Sequence, residues 1–190
     1  MSAQAVAAIL VIPALGAALL ALVSDDRKGA WLNVLVSFLT FSCALALLAL
    51  ERPEPGPFLI VDDLNAVFIV ISTLVGFTTA VFSASYIAHE LETGHLTHAH
   101  LRFYHAMYQM LMFGMNLALL ANNIGLMWVA VELATLTTVV MVGIYRTPAA
   151  LEAAWKYFLL GSVGIALPLF GTILVYLAAR AAVGEGLDAM

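Results

Sequence analysis

Between Arg102 and Arg146 the chain carries one charged side chain, Glu132, inside the apolar run Gly125-Leu-Met-Trp-Val-Ala-Val-Glu-Leu-Ala-Thr-Leu. An ionised group at the centre of a lipid-spanning helix costs roughly 2.5–3.5 kcal/mol, so such a residue is turned inward, partnered or protonated. A carboxyl held between its neutral and charged forms can pass a proton, which makes Glu132 a candidate relay. The plainer alternative is a neutral acid bonded between helices, an interaction of about 0.6–2 kcal/mol in a membrane.

A relay needs partners. On the same helix Trp128, Thr135 and Leu136 stand within a turn of Glu132, and Thr135 is the hydroxyl that best shares its face. Thr137 and Thr138 point elsewhere or bond backward to carbonyls. Further on, Glu152 and Lys156 have the spacing and order of a helical ion pair. Lys156 either snorkels to the interface beside Glu152 or reaches across to Glu132, each charge then stabilising the other. His95, His98, His100 and His105 are clustered, yet they lack helical His-x-x-x-His spacing or a cysteine partner. The first three read as a mobile polar loop rather than a metal site. His105 enters an apolar run and is a candidate for feeding protons inward.

These residues sit in a chain that is 64% apolar and 10% charged, with a mean hydropathy of +1.04. That leaves too little polar surface to coat a water-soluble globule, so the protein is integral to a membrane. An α-helix needs about 20 apolar residues to cross roughly 30 Å of hydrocarbon. The expected architecture is all-α, one membrane domain over residues 1–190, with six spans near 4–23, 30–50, 64–88, 104–121, 124–144 and 153–179. The runs are continuously apolar, unlike the alternating strands of a β-barrel.

Glu51-Arg-Pro-Glu-Pro-Gly-Pro cannot be helical and separates the second and third spans. Asp62 and Asp63 stand where a helix cap belongs, and Asn122-Asn123 before Gly125 supplies a tight turn between antiparallel neighbours. Pro168 lies deep in the sixth span, where it frees carbonyls, and Gly161, Gly164 and Gly171 permit close helix contact.

The net charge of -5 offers no basic footprint for nucleic acid. The lone cysteine, Cys43, excludes an internal disulfide and a cysteine metal cluster. With no Lys or Arg before the first span, that segment does not read as a signal peptide. Arg27, Lys28, Arg102 and Arg146 fall on one side and Arg52 and Arg180 on the other, which favours an outside amino terminus and a cytoplasmic histidine loop.

Asp63-Leu-Asn-Ala-Val-Phe, Arg102-Phe-Tyr, Ala121-Asn-Asn-Ile-Gly-Leu-Met-Trp-Val-Ala-Val-Glu-Leu-Ala-Thr-Leu, Tyr145-Arg-Thr-Pro and Ala153-Ala-Trp-Lys-Tyr-Phe together resemble the antiporter-like subunits of respiratory complex I and Mrp-type cation/proton antiporters. The resemblance covers most of residues 60 to 180. Its wording is most similar to the hydrogenase-4 component F branch of membrane-bound nickel-iron hydrogenase complexes. It implies that Glu132 matches the fifth-helix glutamate central to proton translocation and that Lys156 matches a lysine near the start of the sixth helix. Many relatives place Trp directly before the glutamate, where Val131 stands here.

Family members run to about fourteen helices, so the resemblance reaches only an amino-terminal portion with the start of the first inverted repeat. The chain then either is part of a split or truncated subunit or completes its path with another chain. The implied role is a non-catalytic membrane subunit of a redox-driven proton or sodium pump in a bacterial or archaeal inner membrane. No cofactor is expected in this chain, and nickel-iron and iron-sulfur centres are expected in partner subunits. An Mrp-like antiporter component without redox partners, or a scaffold of the membrane arm, are the alternatives.

Overall fold

A computed structural model describes residues 2–23, 25–94 and 96–183. His95, one of the clustered histidines, lies outside the described residues. Among those described, six helices follow one another: α1 (Ser2–Leu22), α2 (Asp26–Ala49), α3 (Asp63–Glu92), α4 (His98–Leu120), α5 (Ile124–Val142) and α6 (Pro148–Val183). Apart from an isolated antiparallel bridge between Leu59 and Ala121, the described residues are helix or connection.

The helix starts are set by side chains that take up free backbone N–H groups. Asp25 accepts from the Lys28 amide at 3.2 Å, and this bond, with the Lys28 ammonium, holds the Asp25 carboxyl below its usual range. Asp62 and Asn65 form a reciprocal capping box at α3, with bonds of 2.6 and 2.9 Å. Thr97 caps α4 and Asn123 caps α5. Thr147 accepts from the Ala150 amide at 3.1 Å, and Pro148 takes the first helical position, where its missing donor costs nothing. At the end of α2, Arg52 donates to the Leu47 carbonyl at 2.6 Å and also bonds Asp63, tying that terminus to the start of α3.

Five helices, α1, α2, α3, α5 and α6, are long and apolar enough to cross a membrane by length and composition alone. α4 is long enough but interrupted by His98, His100, Arg102, His105, Gln109 and Asn116. It can carry those groups because it lies at the centre, packed against α1, α2, α3 and α5, with lipid kept away from its polar face. The largest apolar cluster gathers Val6 and Ile9 of α1, Ala44 and Leu47 of α2, Ala66 and Ile69 of α3, and Leu120 at the far end of α4. α6 packs on α5 alone and leaves most of its apolar side chains exposed, Leu160 at 77%.

Candidate functional site

Glu132 owes its position to how α5 meets α4. Gly114 of α4 brings its backbone so close that a Cβ there would stand 3.2 Å from the Ala130 carbonyl and 3.2 Å from the Ala134 amide. Those residues define the α4-facing side of α5. Two positions on from Ala130, at about 100° per residue, Glu132 is turned to the opposite side, next to the edge that meets α6. Its Oε2 is buried without a hydrogen-bond partner among the described residues.

The edge toward α6 is built from Trp128, Thr135 and Thr138. The Trp128 indole donates to the Ile165 carbonyl at 3.2 Å, beside the Gly164 carbonyl that Pro168 deprives of its usual donor. Thr135 spends its hydroxyl on its own helix, at 3.0 Å from the Val131 carbonyl, and its methyl would stand 3.1 Å from a Cβ at Gly161. Thr137 bonds back to Leu133 and Ala134. Thr138 donates to the Thr135 carbonyl and lies 3.2 Å from the Tyr157 phenol oxygen. Phe68, Ser72, Thr135, Thr138 and Tyr157 border a cavity of about 500 Å³ between α3, α4, α5 and α6.

These contacts also locate Lys156. Trp128 pairs with Ile165, Thr135 with Gly161 and Thr138 with Tyr157, so Lys156 is level with Val139 or Val140 on α5. Seven or eight residues at 1.5 Å each put it roughly 11 Å along the bundle from Glu132. Its ammonium bonds Glu152 at 2.5 Å, and both side chains are largely exposed. Of the two arrangements open to this lysine, the intrahelical pair is the one formed.

His105 stands elsewhere. It is 1% exposed on α4, beside Gly29 of α2, with neither ring nitrogen bonded among the described residues. Gly114, nine residues on, is the level of Ala130, so His105 is displaced from Glu132 by more than two helical turns and faces a different neighbour. His98 and His100 belong to the first turn of α4 rather than to a mobile loop: His98 bonds Asp26 of α2, and the His100 ring completes the Thr97 cap. At the same end Tyr145, just past α5, bonds the Tyr86 phenol at 3.0 Å, which pushes its own phenol up. Hydropathy reading missed seven buried polar residues, Asn33, Ser37 and Thr40 on α2, Thr73 and Ser83 on α3, and Gln109 and Asn116 on α4. Their helical spacing within apolar runs was the available signal.

Residues 121–185, which contain Glu132 and Lys156 but not His105, match the family described as NADH:quinone oxidoreductase/Mrp antiporter, TM. Over 184 residues the chain is 60% identical to a hydrogenase-4 component F homolog of Methylacidiphilum infernorum, covering 97% of this chain. Over nearly its whole length the chain is similar to the antiporter-like membrane subunits. A solved chain of respiratory complex I from Thermus thermophilus with bound aureothin superposes on this antiporter-like chain with a TM-score of 0.72 at 25% identity, over 95% of its length. A shorter stretch of 65 residues is 46% identical to F(420)H(2) dehydrogenase subunit N of Methanosarcina mazei. The antiporter-like chain spans 38% of the hydrogenase-4 relative and 40% of the complex I chain.

Proposed function

We propose that this chain serves proton translocation in a redox-driven membrane assembly of the hydrogenase type, with Glu132 as the intramembrane relay. The observation that carries the reading is a carboxyl in a lipid-spanning helix whose Oε2 is buried without a hydrogen-bond partner among the described residues. Such an oxygen sits where a proton or a water must complete its bonding. The Thr138–Tyr157 contact and the cavity at Thr135 lie at levels between Lys156 and Glu132, and in this reading a proton uses them to cover the roughly 11 Å between the two. In this reading Lys156 trades Glu152 for the field of Glu132 as a proton arrives, and a partner subunit drives the exchange by favouring one charge state. His105 stands as an accessory group, not on the same path. The partners are other membrane subunits of the assembly, the metal centres belong to them, and the transported ion is H+ or Na+. The amino terminus faces outward across a bacterial or archaeal inner membrane, as the charge asymmetry of the loops favours.

Glu132→Gln in the intact assembly keeps size and neutral hydrogen bonding while removing the titration. Assembly and electron transfer are retained and proton pumping into vesicles falls to background; pumping at the unmodified rate would end the relay reading. Co-purified nickel-iron and iron-sulfur subunits would favour the hydrogenase setting. Antiporter subunits without metal would favour the Mrp-like setting that the matched family also contains.

A further inference from the structure

On the side of α4 turned away from Glu132 runs a second polar array. His105, Gln109 and Asn116 recur at helical spacing on α4, and Asn33 and Ser37 face them from the parallel α2. The Gln109 amide donates to the Asn33 carbonyl, the Asn33 Oδ1 and the Ser37 hydroxyl at 3.2, 2.8 and 2.8 Å, which fixes the two helices in register. All five residues are at least nine-tenths buried. Yet Asn33 Nδ2, both ring nitrogens of His105, Gln109 Oε1 and both amide atoms of Asn116 are left without a partner among the described residues, as is Asp26 Oδ1 at the start of α2. α1 and α3 also pack here: α1 cannot supply a partner, because its buried residues are Val6, Ile9, Pro13, Gly16, Ala17 and Leu20, and the buried α3 hydroxyls of Thr73 and Ser83 bond back to carbonyls of their own helix.

Orphaned amides, an imidazole and a carboxylate oxygen arranged along one seam match the coordination of buried water, which typically makes about three hydrogen bonds to such groups. One end of the seam opens. A cavity of about 680 Å³ is bordered by Asp26, Ala30, Trp31, Ser85, Leu101 and His105. The other end closes on the apolar cluster of Leu120, Ile9, Ala44 and Leu47. From His105 to Asn116 the helix advances roughly 16 Å, about half a hydrocarbon core.

We propose that the α2–α4 seam is a blind half-channel holding a file of bound water, entered from the Asp26–His105 cavity and ending at Asn116. Its ligand class is water and the hydrated proton. Inside the mouth the described residues of the seam offer amide, hydroxyl and imidazole groups and no carboxylate to strip a metal ion of its shell. α4 itself separates this file from Glu132, so the two polar systems are independent.

Radiolytic hydroxyl labelling of the whole chain in lipid nanodiscs tests this, because bound water generates radicals beside buried side chains that bulk radicals do not reach. In the unmodified chain His105 oxidises, relative to its intrinsic reactivity, about tenfold faster than Tyr108, which is equally buried but turned to α3 and bonded to the Gly76 carbonyl. Deeper in, with Cys43 replaced by Ala, Ser37→Cys labels faster than Ala44→Cys in the apolar cluster, and adding His105→Leu at the mouth removes the difference. Equal protection of His105 and Tyr108, or of the two engineered cysteines, would overturn the half-channel. Labelling of Ser37→Cys that survives His105→Leu would overturn entry from that end.

Discussion

The bond from Trp128 to the Ile165 carbonyl is a sensitive point to perturb, because it joins the helix of Glu132, one turn away, to the part of α6 that holds Pro168. Trp128→Phe keeps an aromatic ring and removes one donor. Interhelical hydrogen bonds in membranes average about 0.6 kcal/mol and reach about 1.7. At 3.2 Å, to a carbonyl that keeps a helical partner, this one belongs in the middle of that range, near 1 kcal/mol, about a fivefold shift in the unfolding equilibrium. Pro168→Ala gives the Gly164 carbonyl, next to that of Ile165, a donor again. If the indole compensates for that break, Trp128→Phe costs at least about 0.5 kcal/mol less in the Pro168→Ala background. The assay is a double-mutant cycle on the chain in bicelles, unfolded with dodecyl sulfate and followed by far-ultraviolet circular dichroism. Equal costs in both backgrounds would show that the bond does not answer to the proline. A cost indistinguishable from zero in either background would remove it from any account of how α5 and α6 are held.

Two further outcomes follow from the packing. Asn65→Ala removes a cap acceptor together with bonds from its amide to the Ile60 and Leu119 carbonyls at 2.9 and 3.2 Å, and should lower stability by roughly 1.5–4 kcal/mol in the same unfolding assay. Gly114→Val places branched carbon against the Ala130 and Ala134 backbone, and the resulting overpacking should cost about 1–3 kcal/mol or more, while Gly164→Val, which meets nothing within 4 Å, leaves stability near that of the unmodified chain.

The apolar runs declare the helices well because lipid demands continuous hydrophobicity, and Asp62, Pro168 and the Glu152–Lys156 spacing act within a turn or two of chain. α4 shows where that reading thins. Its first turn, His98 to Leu101, is polar and so passes for loop, although Thr97 caps it and His98 grips Asp26 across the bundle. An amide such as Gln109 looks the same in sequence whether it meets lipid, water or another helix. Only the register of α2 against α4 shows that it binds Asn33 and Ser37. The separation of Lys156 from Glu132 is equally hidden, since it depends on which residues of α5 and α6 stand level.

The link after α2 and the turn before α5 are sewn together: Ile60 donates to Leu120, Asn122 donates to Phe58, and the Asn122 amide holds the Gly56 carbonyl at 2.7 Å. At that end α3, α4 and α5 are therefore clamped like the rivet of a pair of tongs. Any swing of α5 relative to α4 must pivot there and grow toward Gly143, so the arms that open widest are the ones nearest Tyr157 and Lys156.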